Sequence, residues 1–301
     1  MSPILRTPQY VDRDQRIWDG HLSYWVKMKT MISMGLLLAM AGWQGGSRAQ
    51  VAVLGDRQPQ CVFSGRRAVS LLLTNAGSVA AELTVQLRLL QCTSATAVPL
   101  GVFPWKTLSL LPAQTVVESA PVDFPAVRAG TRFLIQWLEG TNRVLGHTDV
   151  LVYPPDLLKA LKPLAGDEPL GVFDPAVLIK PLLRAAGVEF SDLEDAGWEG
   201  YAGKLVLAGP FPDRMGNTLG DRIQTVAHKG VAVVWIQPPS DPGAPLQPSF
   251  FTLSQGKGAV VVVQPELVAS LADRPASQLH LLEFARLALH PEPLRLPHLT
   301  P

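Results

Sequence analysis

Two rhythms of apolar and polar residues divide this chain. From about residue 51 to 153, short apolar runs alternate with turn residues. Glu82-Leu83-Thr84-Val85-Gln86-Leu87-Arg88-Leu89 switches polarity at every step, the period of a half-buried strand. Ala68 to Leu73, closed by Thr74-Asn75-Ala76-Gly77, is a second strand. Thr107 to Leu110 and Thr115 to Ser119 flank the turn Leu111-Pro112-Ala113-Gln114. Thr131 to Leu138 alternates again, and Glu139-Gly140-Thr141-Asn142 marks a hairpin turn before Arg143 to Val152. Short strands at this spacing, with no helical period between them, predict an all-β sandwich over residues 50–153. Trp137, on an alternating strand, is expected in its core, and Trp105 is the better candidate for exposure.

After Tyr153-Pro154-Pro155 the period changes. Residues 154–167 read as a connector helix with Asp156 as its N-cap. Strands at Leu170 to Phe173, Val188 to Phe190 and Lys204 to Ala208 then alternate with helices at Ala176 to Ala186 and Gly216 to Lys229. Val231 to Ile236 and Ala259 to Val263 are continuous apolar runs of the kind a parallel sheet buries on both faces. Helices at Glu266 to Ala272 and Ala276 to His290 follow, and residues 292–301 form a Pro-rich tail. The expectation for residues 168–291 is a three-layer α/β domain with a mainly parallel sheet.

Two resemblances follow from these runs. Residues 51 to 153 resemble the immunoglobulin-like modules of bacterial surface proteins, by pattern and not by motif. Gly203-Lys204-Leu205-Val206-Leu207-Ala208-Gly209-Pro210-Phe211 resembles the strand-to-glycine turn of class I glutamine-amidotransferase-like, flavodoxin-like domains. Gly230-Val231-Ala232-Val233-Val234-Trp235-Ile236-Gln237 resembles the strand that leads, in that family, into a nucleophile elbow. Where the family places a glycine-flanked cysteine, this chain has Gln237-Pro238-Pro239, and residues 168–291 contain no cysteine. The resemblance therefore implies a non-catalytic relative.

The amino terminus changes the picture of location. Lys27 and Lys29 precede the uncharged apolar stretch Met31 to Trp43, and Ser47-Arg48-Ala49 places small residues where a signal peptidase reads them. Residues 1–49 are expected to be a signal peptide with an upstream extension, cleaved after Ala49; a short uncleaved anchor is the alternative. The product would be exported, periplasmic or extracellular, touching membrane only through an uncleaved segment. Cys61 and Cys92, the only cysteines, then suggest one disulfide, with two separate buried thiols as the alternative.

Charge and motifs narrow the chemistry. The net charge of +1, without a basic stripe, argues against a nucleic-acid partner. There is no G-x-S-x-G, no phosphate-binding G-x-x-x-x-G-K-[ST] and no H-E-x-x-H, so no cofactor or metal is indicated. Ligands of open parallel sheets bind beyond the carboxyl ends of the strands. Those exits carry Asp174, Ser191-Asp192, Gly209 with Phe211, Gln237, and Gln264 with Glu266, four of the five followed at once by proline. Proline terminates a strand in any case, which accounts for the pattern without a ligand. The functional alternative is a ligand-binding rim of Asp174, Gly209, Phe211, Gln237, Gln264 and Glu266. Asp174, Asp192, Glu194 and Asp195 also offer the carboxylates of a carbohydrate-processing hydrolase. The expected function is an exported, non-catalytic interaction or scaffolding protein whose partner is an envelope protein or polysaccharide. A hydrolase or a small-molecule sensor using the strand-exit cleft is the alternative.

Overall fold

A computed structural model describes residues 49–140, 143–210, 216–237, 250–255 and 257–291. Residues 1–48 of the predicted signal segment, Phe211 and the predicted tail 292–301 lie outside the described residues. Among the described residues fourteen strands form three sheets. β1 (Val51–Leu54), β3 (Gly65–Asn75) and β6 (Thr115–Phe124) make an antiparallel sheet in the order β1-β3-β6. β2 (Gln60–Phe63), β4 (Ala81–Cys92), β5 (Ala97–Leu110), β7 (Thr131–Glu139) and β8 (Arg143–Tyr153) make the second, in the order β2-β8-β7-β4-β5. Their inward residues share one core, because strict alternation puts Leu83, Val85, Leu87 and Leu89 of β4 on the same face as Phe133, Ile135 and Trp137 of β7. Ala120, Val122 and Phe124 of β6 supply the opposing layer.

The third sheet has the order β10-β9-β11-β12-β14-β13, from β9 (Leu170–Phe173), β10 (Phe190–Asp192), β11 (Leu205–Ala208), β12 (Ala232–Ile236), β13 (Phe250–Gln255) and β14 (Gly258–Val263). All its pairings are parallel except β13 with β14. Successive residues of each central strand face opposite sides, and both sides are apolar. Val172, Leu207, Val234 and Val261 join one core with α1 (Leu161–Ala165), α2 (Lys180–Ala185) and α4 (Pro275–Leu289). Phe173, Ala208, Val233 and Val262 join the other with Leu219, Ile223 and Val226 of α3 (Gly216–His228) and with Trp198. This double burial is why those strands read as unbroken apolar runs. Among the described residues no helix is long and apolar enough to cross a membrane.

The structure corrects the predicted fold class. The chain is mixed α/β with several sheets, about 47% strand and 20% helix among the described residues, and not an all-β immunoglobulin-like sandwich followed by a separate α/β domain. The five-stranded sheet contains a parallel pair, β2 with β8. The two compact units are also not consecutive: Asp273–Pro275 groups with the strands that end before Pro155, while Asp156–Ala272 forms the other unit with the chain from Ala276 on. Polarity patterns locate strands but carry no record of the partner or of the direction of pairing, so neither feature was visible in them.

The predicted disulfide is also corrected: Cys61 and Cys92 are separate thiols. The registers set Cys61 opposite Leu151, Leu151 opposite Arg132 and Arg132 opposite Cys92. The two cysteines thus lie on one row, three strand spacings or about 14 Å apart. A disulfide needs Cα atoms within about 7 Å. Burial pushes the Cys61 thiol up from its ordinary pKa, which keeps it in the unreactive protonated form.

The connector helix is shorter than expected, a 3-10 turn at Leu157–Ala160 followed by α1, and Leu158 and Leu161 are buried in the α/β core. Asp156 does not cap it; its carboxylate accepts a hydrogen bond from Lys159 Nζ at 2.7 Å.

Candidate functional site

In the third sheet the chain leaves β9 for β10 on one side and returns to β11 on the other, so the order reverses between β9 and β11. That reversal opens the crevice where α/β sheets take ligands. Asp174, after β9, and Gly209, after β11, stand at it side by side. Gly209 N–H donates to Phe173 O at 2.7 Å, and a Cβ on Gly209 would meet Asp174 Oδ1 at 2.8 Å. Glycine is the residue that allows this approach of two strand ends.

Asp174 is fully buried. Its Oδ1 accepts the N–H of Leu178 at 3.1 Å, and its Oδ2 accepts those of Ile179 at 2.6 Å and Lys180 at 2.9 Å. Its own N–H donates to Glu194 Oε1 at 2.8 Å. Asp174 therefore organises the turn into α2 and offers no free oxygen pair to a ligand. The turn is strained: Val177, β-branched, has φ 55, a conformation that costs roughly 1–3 kcal/mol. The Asp174 bonds on its carboxyl side hold it there.

Beside Asp174 lies an ion triad that sequence reasoning missed, a buried lysine between two partly exposed carboxylates. Lys180 Nζ sits 2.7 Å from Asp192 Oδ2 and 2.7 Å from Glu194 Oε1, with only 7% of its side chain exposed. The signal was present in Leu178-Ile179-Lys180-Pro181-Leu182-Leu183, since a lysine inside an apolar run is buried only with partners. Burial alone would lower the Lys180 pKa, but its hydrogen bonds to Asp192 and Glu194 and their charges outweigh burial and raise it. Burial would likewise raise Asp192, yet the bonds from Lys180 and the Glu194 N–H, with the Lys180 and Arg184 charges, hold it below the usual carboxylate range.

The signs fix a pH dependence. A depressed Asp192 contributes stability that is complete above its unfolded pKa and lost as pH falls through the folded one; a raised Lys180 contributes stability lost as pH rises through its folded pKa. The triad should therefore add a constant amount between about pH 5 and pH 9. Urea midpoints of the wild type and Lys180→Met, measured across pH, should differ by a fixed gap in that window, narrowing below about pH 4. A gap that widens on acidification would contradict the assignment.

The other predicted site residues spread along the same edge without converging. Gln237 follows β12, and its N–H donates to Val263 O at 2.9 Å. Gln264 precedes the 3-10 turn Pro265–Val268, which carries the exposed Glu266. With the order β9-β11-β12-β14, the ends of β9 and β14 are three spacings or about 14 Å apart. The carboxylates of a glycosidase stand about 5–9.5 Å apart, which the strand ends bearing Asp174 and Glu266 do not provide. Among the described residues no cluster of His, Cys, Asp and Glu could hold a metal ion. Among the described residues two donors at this edge lack partners: the buried indole N–H groups of Trp198, which packs on Phe173 at 5.4 Å, and of Trp235, which pairs in register with Ala208.

No family model matches the chain, and no curated protein matches it. Solved structures similar to parts of it include a β-glucosidase from Listeria innocua in complex with glucose, at 13% identity and a TM-score of 0.27 over 36% of this chain and 17% of that one. An alkylpurine DNA glycosylase from Pseudomonas fluorescens, bound to DNA with an abasic-site analogue, gives 17% identity and a TM-score of 0.27 over 36% of this chain and 31% of that one. A β-glucosidase from Erythrobacter marinus gives 16% identity and a TM-score of 0.26 over 36% and 16%. The chain spans less than a third of the length of each. Likenesses of this size say nothing of what the chain does, and they lend no support to an immunoglobulin-like module paired with an amidotransferase-like domain.

Proposed function

We propose that the chain is an exported, non-catalytic interaction or scaffolding protein of the cell envelope. The observation that supports this reading is the state of Asp174. The carboxylate that follows β9 at the switch point is buried and spent on three backbone N–H groups, and its cationic neighbour Lys180 is spent on Asp192 and Glu194. A group that activates a nucleophile or transfers a proton has to reach the substrate, and these reach one another. Export rests on the lysine-flanked apolar stretch and the Ser47-Arg48-Ala49 site.

A second reading, a small-molecule sensor, is favoured by the two unspent indole donors. Trp198 and Trp235 lie in the layer under the carboxyl ends of β9 and β12, where a ligand acceptor would satisfy them. A thermal-shift screen of the full chain against sugars, amino acids, nucleotides and divalent cations separates the two. The interaction reading expects no shift. A ligand at a hundred times its Kd would add about 2.7 kcal/mol and raise Tm by several degrees. A shift abolished by Trp235→Phe would replace the interaction reading with the sensor. Turnover of any ligand found would overturn both.

A further inference from the structure

We infer that the first half of β5 is a self-association surface, and that its occupant is the same segment of a second copy of this chain. Among the described residues β5 is the outer strand of the five-stranded sheet, paired with β4 on one side only. From Ala97 to Phe103 none of its residues is buried, although four are large and apolar: Val98 is 53% exposed, Leu100 42%, Val102 47% and Phe103 47%. The exposure is on both faces. Val102 and Pro104 lie opposite Arg88 and Gln86, on the outward face of β4. Val98, Gly101 and Phe103 lie opposite Gln91, Leu89 and Leu87, on the side turned towards the three-stranded sheet, which does not cover them. The Phe103 ring folds back over Gly101, where a Cβ would come within 2.9 Å of it.

Natural outer strands discourage pairing with charges, usually lysine, with prolines and with bulges. β5 has Pro99, Pro104 and two register shifts against β4, which limit the length that can pair, but its first half lacks the charges. Here no charged residue occurs from Cys92 to Trp105, and the first, Lys106, is held by Glu118 at 2.6 Å. The uncharged stretch is what a two-fold contact requires, because such a contact sets a patch against itself and any charge in it meets its own copy. In an antiparallel pairing centred anywhere from Pro99 to Pro104, Lys106 falls opposite a residue between Cys92 and Val102, all of them uncharged. Neither like-charge repulsion nor a buried unpaired charge arises. Pro99 and Pro104 each lack a donor, which confines backbone pairing to Leu100, Gly101, Val102 and Phe103 and pins the contact to that window.

Sedimentation of the full chain over a concentration series tests this. The wild type should pass from monomer to dimer as concentration rises. Val102→Lys and Leu100→Lys, both at exposed positions, should each weaken the dimer by about tenfold or more while Tm stays unchanged. Val117→Lys, at a 75% exposed position on β6 outside the segment, should dimerise as the wild type does. A wild type that stays monomeric throughout, including one that instead captures a foreign strand, would overturn the inference. So would a dimer that survives both lysine substitutions.

Discussion

Asp174→Ala is expected to destabilise the protein by about 3 kcal/mol or more, and to do so without touching any ligand. The side chain is fully buried, and its removal leaves the N–H groups of Leu178, Ile179 and Lys180 without their acceptor. Hydrogen bonds to a charged group contribute about 1.5–3 kcal/mol each, and a buried donor left alone costs its full desolvation. The same bonds hold Val177 at φ 55, so losing them also frees that turn to relax. Relaxation returns part of the strain and makes the loss smaller than the sum of three bonds. Asp174→Asn keeps one acceptor oxygen and should lose roughly half as much. Urea unfolding gives the magnitude, and amide exchange at residues 178–180 gives the location. A loss under about 1 kcal/mol, with unchanged exchange there, would show that the turn is held by something else.

Trp137→Ala should cost about 3–5 kcal/mol, the range for truncating a large buried aromatic side chain. Trp137 is completely buried in the core shared by the first two sheets, stands 5.5 Å from the Trp105 ring, and donates through Nε1 to Thr148 Oγ1 at 2.9 Å. Trp137→Phe keeps most of the packing and strands the hydroxyl of Thr148, itself 3% exposed, at a cost of about 1–2 kcal/mol. Combining it with Thr148→Val removes both partners, so the double variant should be less destabilised than the two single losses added together. Additive losses in that cycle would mean that the indole contributes by volume alone. Trp105 is half-buried and packs against the same core, so the exposure expected of it is only partial.

What could be read before the structure was whatever polarity and turn chemistry express locally. Strands at Leu170 to Phe173, Leu205 to Ala208 and Ala232 to Ile236 showed themselves as apolar runs because both their faces are covered. β4 and β7 showed themselves by alternation. β13 was missed. Phe250–Gln255 pairs antiparallel with β14, and neither its length nor its mixed polarity separates it from loop. The first half of β5 was missed because exposure on both faces erases the alternation. The helix expected over 176–186 shrank to Lys180–Ala185, since the Asp174 bonds commit the residues before it to a turn.

The sequence by itself determined where the alternating and doubly buried strands lie, that the second half alternates strands with helices, and that no familiar nucleophile or phosphate-loop motif is present. Side-chain periodicity and turn residues act over a few positions, so these survive without knowledge of the fold. Only the tertiary structure decided which strand pairs with which. Through that pairing it put Cys61 and Cys92 three strands apart, set Asp174 against Gly209, enclosed Lys180 between two carboxylates and left β5 open. Each of these depends on contacts between residues distant along the chain, and a side chain's chemistry follows from what surrounds it. The aspartate that composition offers as a ligand is, once buried beneath three backbone N–H groups, a brace for its own loop.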